Sequence, residues 1–194
     1  MPTLNEIRAR VRQRLDEQAA AIWTDAELDE AIEATLEEYN HLFPAEQELS
    51  YPVSEGETAV TLPTGTRAVV RVTLADGSVL PRRGEPVGRT ADEAAAWETF
   101  ADELRFSRPL AAQTLTLRLL GDHAVTDVPD GDSGLLVLGG VWRSLVQRSV
   151  QDFKRGGPLA GVSYELVVRW AREEYERALD RRRRRVRSRL LSGG

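Results

Sequence analysis

The spacing of apolar residues changes twice along this chain, and those two changes limit the folds open to it. From Leu4 to Phe43 apolar residues return every three or four positions, the mark of a helix with one buried face. From Leu49 to Leu74 they alternate, as side chains do on the two faces of a strand. From Leu135 onward the helical spacing resumes. Helices at both ends, with strands between, predict an α+β protein: mainly a bundle of about four helices with a small antiparallel β unit inserted in it.

In the first helical stretch Leu4, Ile7, Val11, Leu15 and Ile22 form the apolar stripe, and Arg8, Arg10, Arg12 and Arg14 fill the other faces. Thr24 followed by Glu27 is a capping-box pair that opens a second helix, and Pro44 closes it after Leu28, Ala31, Ile32, Leu36, Tyr39 and Phe43. The short connection at Trp23 predicts an antiparallel hairpin. In the middle, Leu49, Tyr51 and Val53, then Ala59, Thr61 and Pro63, then Val70, Val72 and Leu74 read as strands. Glu55-Gly56, Thr64-Gly65 and Asp76-Gly77 separate them as turns. Residues 82–90 read as a loop, Thr90 and Glu93 as the cap of a short helix through Phe100, and 103–108 and 114–120 as two more strands.

Residues 121–134 form a polar loop. Beyond it, Leu135 to Phe153 reads as a helix whose Gly139-Gly140 pair implies close approach by another element. Each glycine costs a helix about 1 kcal/mol relative to alanine. Gly156-Gly157-Pro158 breaks the chain, and a last helix runs from about Ser163 toward Leu191. The expected segments are a hairpin at 1–45, a β-rich insertion with one short helix at 46–120, helices completing the bundle at 121–180, and an Arg-rich docking segment at 181–194.

Charge is unevenly spread. The formal net charge is -5, yet no Lys or Arg occurs between Leu15 and Glu57, while ten Arg against five acidic residues follow Tyr164. Such polarity suits different partners at two poles or side-by-side stacking of copies, and it also suits two solvated helix faces. No cysteine is present, which excludes disulfides and thiolate metal sites. No apolar run approaches the roughly 20 residues of a membrane span, and the start lacks a secretory pattern, so a cytoplasmic chain with no membrane partner is expected.

Motifs for chemistry are thin. The only histidines are His41 and His123, and neither a phosphate loop, a dinucleotide fingerprint nor a nucleophile elbow is present. Asp127, Asp130 and Asp132 lack the spacing of a calcium loop and read as a helix-capping turn through Asp132 or Ser133. No cofactor, metal or catalytic residue is expected. The tract Arg181, Arg182, Arg183, Arg184, Arg185, Arg187 and Arg189, with Leu190 and Leu191, admits three readings: a protein-docking helix, a nucleic-acid contact, or a solvated tail. It contains no stacking aromatic, and the acidic remainder of the chain would repel DNA at longer range.

The segment LNEIRARVRQRLDEQAAAIWTDAELDEAIEATLEEY (Leu4 to Tyr39) resembles the start of the head–tail adaptor (head-completion or connector) proteins of tailed bacteriophages. The resemblance lies in an Arg- and Leu-rich first helix, the Trp23-Thr24-Asp25 turn, and an acidic second helix carrying Glu27, Leu28 and Ala31-Ile32. The ending YELVVRWAREEYERALDRRRRRVRSRLL is similar in style to theirs, whereas the large β insertion departs from the compact all-helical members. The resemblance implies a structural, non-enzymatic role in the virion neck after assembly in the host cytoplasm. It implies a ring, usually of twelve copies, under the portal protein, extending the channel for double-stranded DNA without specific binding and offering a surface to a tail or stopper protein. It further implies that Arg181 to Leu191 contact the portal, and that Glu33, Glu37 and Glu38 face the ring or its lumen. Two other functions remain open to the residues themselves: a DNA-binding packaging accessory acting through the Arg tract, and a cell-wall hydrolase using paired carboxylates.

Overall fold

The computed structural model describes residues 2–17, 22–84, 95–154 and 164–192. The fold is α+β and divides into two compact units, one of residues 1–42 with 123–194, the other of residues 43–122.

The first unit is helical: α1 (Leu4–Arg14), α2 (Asp25–Leu42), α3 (Ser133–Lys154) and α4 (Tyr164–Ser192), with two 3-10 turns at Val125–Asp127 and Asp130–Asp132 preceding α3. Both N-terminal helices open on reciprocal caps. Thr3 and Glu6 serve α1. For α2 the Thr24 backbone N–H donates to Glu27 Oε2 at 2.8 Å and the Glu27 N–H donates to Thr24 Oγ1 at 3.3 Å. The α1 helix ends at Arg14, well before Ile22, because Leu15 caps it and Asp16 takes a left-handed φ of 54°. Ile22 is therefore not part of the α1 stripe and stands 49% exposed.

Ile7, Val11, Leu28 and Ile32 are fully buried in this unit. The α3 helix touches α1, α2 and α4, and its paired glycines let it do so. A Cβ on Gly139 would lie 2.2 Å from Thr35 Cγ2 of α2, and one on Gly140 would lie 3.0 Å from Val11 Cγ2 of α1. The close approach expected of these glycines thus has both hairpin helices as its cause.

The second unit holds two antiparallel sheets. Strands β1 (Ala45–Val53), β7 (Gln113–Gly121), β3 (Thr66–Thr73) and β4 (Val79–Leu80) form one in that order; β2 (Ala59–Thr61), β6 (Glu103–Phe106) and β5 (Trp97–Phe100) form the other. Leu115, Leu117 and Leu119 of the central β7 alternate inward and anchor a core with Val60, Trp97, Leu104 and Phe106.

Two further expectations are corrected. Val70 does not share an inward face with Val72: the β3–β7 register shifts between Val69 and Arg71, so Val69 and Val72 are buried and Val70 is 48% exposed. Residues 97–100 are strand, not the end of a helix. Trp97 is 3% exposed with its indole N–H donating to the Leu80 carbonyl at 3.0 Å, and β5 returns as β6 through Ala101 at φ 51°. The expected caps Thr90 and Glu93, the Gly156-Gly157-Pro158 break and the helix start at Ser163 lie outside the described residues.

Candidate docking surfaces

The helical unit sorts its charges into those spent inside and those left outside. Along the hairpin, Arg8 meets both oxygens of Asp29, through Nε at 2.6 Å and Nη2 at 2.5 Å. Arg12 bridges Glu17 at 2.9 Å and Asp25 at 2.7 Å, and donates to the Trp23 carbonyl at 3.0 Å. Glu17, itself buried, accepts from the Trp23 backbone N–H at 2.9 Å, and the Trp23 indole donates across to the Ser144 carbonyl of α3 at 3.2 Å. The Trp23-Thr24-Asp25 turn is therefore fixed by arginines of the preceding helix. Arg12 holds the Asp25 carboxyl below its ordinary pKa, chiefly through this hydrogen bond.

Two further polar sites fasten α4. Glu38 Oε2 accepts from Arg143 at 2.8 Å and from the Tyr175 hydroxyl at 3.0 Å, so one carboxylate joins α2, α3 and α4. The Tyr175 ring also stacks on Trp142, with centroids 5.7 Å apart. Burial first, then the Glu38 charge, push the Tyr175 pKa upward. At the N-terminal end of α3, buried Asp132 accepts from the Tyr39 hydroxyl at 2.7 Å and pairs with Arg182 Nε at 2.7 Å. Tyr39 is 1% exposed, and its burial, seconded by Asp132, raises its pKa to about 12. A carboxyl group so deep in the fold is matched by a hydroxyl donor and a guanidinium together.

The residues singled out in the sequence divide accordingly. Arg182 is turned inward as a fastener and Glu38 is half-buried as another. Arg183 pairs along its own helix with Asp180 at 3.4 Å. Arg181, Arg184 and Arg185 are exposed, as are Glu33 and Glu37. The helix backbone continues through Ser192, while the side chains of Arg187, Arg189, Leu190 and Leu191 lie outside the described residues.

Two surfaces emerge. On α2, Glu30, Glu33 and Glu37 occupy one exposed face at spacings of three and four, and none pairs with a described residue. Around the first turns of α3 runs a basic groove. Arg10, Gln13 and Arg14 of α1 line a 430 Å³ depression, Arg181, Arg182 and Arg185 of α4 line a second of 220 Å³, and the two share Gly134 and Leu138. Sequence reasoning reached the α4 arginines and Glu33 and Glu37, but missed Glu30, Arg10 and Arg14 as surface partners and Tyr39 and Asp132 as the inner fastener. Helical periodicity carried a signal for Arg182, which continues the face of Ala171, Tyr175 and Ala178. No three Asp, Glu or His side chains converge as a metal site among the described residues. No family model matches the chain, and no curated protein matches its sequence.

Proposed function

We propose that this chain is a structural head–tail adaptor of a tailed phage, one that forms a ring beneath the portal, lengthens the DNA channel and offers a surface to a tail or stopper protein. The observation that carries the reading is the state of α4. Its stem is fastened through Tyr175 and Arg182, while Arg181 and Arg184 project outward from a continuous helix and pair with no described residue. A helix held at its stem and charged at its free side is suited to docking, because its arginines are already positioned and lose little freedom on contact. Planar guanidinium groups then meet partner carboxylates in bidentate fashion. The resemblance over Leu4 to Tyr39 supplies the identity of the partner, the portal, and the expectation of a ring. Glu33 and Glu37 suit a ring or lumen face, since a channel that passes DNA gains from carboxylates that do not grip phosphate.

The test is mass photometry of the purified chain with and without its portal protein. A ring-sized complex with the portal, weakened at least tenfold in R184E, whose side chain lies outside the groove lining, is expected. A chain that ignores the portal at every concentration would overturn the reading. Steeply salt-dependent binding of duplex DNA, lost when residues 181–194 are removed, would favour the packaging accessory instead.

A further inference from the structure

We infer that the basic groove around the start of α3 is the receptor for the acidic face of α2 from a second copy of this chain. The inference rests on the ring reading only for its meaning in assembly; the pairing itself stands on the two surfaces.

The groove has walls and a floor of different chemistry. Arg10 and Arg14 stand one helical turn apart on one wall, and Arg181 and Arg185 stand one turn apart on the other. Leu138 and Gly134 lie between them, and both are partly accessible. Each arginine row extends about 6 Å along its helix, and Glu30 to Glu37 extends about 10 Å, at 1.5 Å per residue. An acidic helix laid along the floor thus brings a carboxylate to each wall over two turns. The neighbouring positions on that face of α2 are Ala26 and Ala34, small enough to let its backbone approach Leu138.

The occupant is set by charge and by what the groove lacks. Glu174 and Asp132 sit among the arginines, at 3.0 Å from Arg14 and 2.7 Å from Arg182. They lower the field that a polyphosphate would need, and among the described residues no aromatic side chain lines the groove to stack a base. Carboxylates on a rigid helix match paired arginines better than a phosphate backbone does, and α2 carries such a face in Glu30, Glu33 and Glu37, none paired with a described residue. Receptor and ligand surfaces share no residue. Their union is therefore heterologous, each copy giving its α2 to one neighbour and its groove to the other, and it propagates into a closed ring or an open filament.

Charge exchange tests this. The variants E30K/E33K/E37K and R181E/R185E are each checked for wild-type helicity, then examined by sedimentation velocity at low and moderate salt. Arg182 is left alone because it serves the fold. Wild-type chain is expected to self-associate at low salt, with roughly tenfold or greater weakening at moderate salt as surface charges are screened. Each variant alone should fail to associate, because like charges then face one another. An equimolar mixture should associate again, since the new lysines of one variant meet the new glutamates of the other, while the native α2 glutamates of the second meet the native groove arginines of the first. Restoration on mixing is something that damage to the fold cannot produce.

Wild-type association that either variant retains alone, a mixture of folded variants that stays monomeric, or a wild-type chain that stays monomeric at low salt would each overturn the inference. Duplex DNA bound by the wild type and lost in R181E/R185E, without self-association, would also overturn it. The adaptor reading is read separately, by portal binding. Charge exchange that works in a chain indifferent to the portal keeps this pairing and sinks the adaptor. Portal-bound rings that form as well in E30K/E33K/E37K, which leaves the α4 arginines intact, do the reverse.

Discussion

Substituting Gly139 by alanine tests the packing at the centre of the helical unit. The added Cβ would lie 2.2 Å from Thr35 Cγ2, 2.7 Å from its Oγ1 and 3.1 Å from its Cβ, against an ordinary carbon–carbon contact of about 3.5 to 4.0 Å. Thr35 is fully buried and its hydroxyl donates to the Ala31 carbonyl at 2.7 Å. Both of its branches already face the glycine, so exchanging them by rotation leaves the clash, and α2 and α3 must separate. Overpacking of this kind costs about 1 to 3 kcal/mol, and a severe overlap belongs near the top of that range. Alanine returns about 1 kcal/mol of helix propensity. G139A should therefore lose about 2 kcal/mol. T35A alone should lose about 1 kcal/mol, the worth of one buried methyl. With both branches of Thr35 gone, the added methyl meets only the former Thr35 Cβ, and G139A becomes neutral or slightly stabilising in that background. The coupling between the two sites is then about 2 kcal/mol. Urea unfolding of the four proteins, followed by far-ultraviolet circular dichroism at 222 nm to weight the helical unit, measures it. A G139A protein as stable as wild type, or losses that simply add in the double variant, would refute the close-contact reasoning.

Other outcomes follow from the fasteners. R182A should lose about 2 kcal/mol, the worth of a charge-assisted contact to a buried carboxylate, whereas R181A should stay within about 0.5 kcal/mol of wild type; equal effects in thermal melts would place Arg182 on the surface. The Tyr39 hydroxyl has its folded pKa raised to about 12 from an ordinary 10.0. Its contribution is thus complete below pH 10 and lost as pH rises toward 12. Helicity followed between pH 9 and 12 should fall in the wild type and fall less steeply in Y39F; identical slopes would contradict the assignment. On the acid side, Thr24 holds the Glu27 carboxyl below its ordinary 4.5, and Arg12 holds Asp25 below 3.8. Both support the fold above those values and cease to do so as pH falls through the lowered ones. Melting temperature should therefore drop between pH 5 and pH 3, with a smaller drop in D25N, and an unchanged drop would deny Asp25 a part.

Features that depend on a few neighbouring residues were legible in the sequence. The cap of α2 needs only Thr24 and Glu27, and the glycine pair in α3 announces a close neighbour without naming it. The strand at Trp97 was not legible, because the preceding run of alanines favours a helix and the decisive contact, the indole on the Leu80 carbonyl, is tertiary. The break in alternation at Val70 was hidden for a like reason: a register shift is made by the partner strand. Charged surfaces were legible as surfaces but not in detail. A row of arginines does not say which one has a buried carboxylate waiting, and Arg182 finds Asp132 fifty residues earlier in the chain. Glu38 falls beside Thr35 and Tyr39 on the inward side of α2, yet only the fold supplies Arg143 and Tyr175.

The way residues 43–122 leave and re-enter the helical unit has a consequence for the order of folding. Asn40 donates to the His123 carbonyl at 3.0 Å and accepts from the His123 N–H at 2.9 Å, and just beyond them Ala45 pairs with Gly121. The inserted chain therefore returns to where it set out. Bringing α2 to α3 across an unstructured loop of roughly 80 residues would cost about 4 kcal/mol of loop entropy. Once β1 and β7 have paired, that loop shrinks to a few residues. During synthesis the strands emerge before α3, so the sheet can close first and deliver His123 to Asn40. The hairpin at the start of the chain waits for its partner, and the β unit is the splint that brings the partner to it.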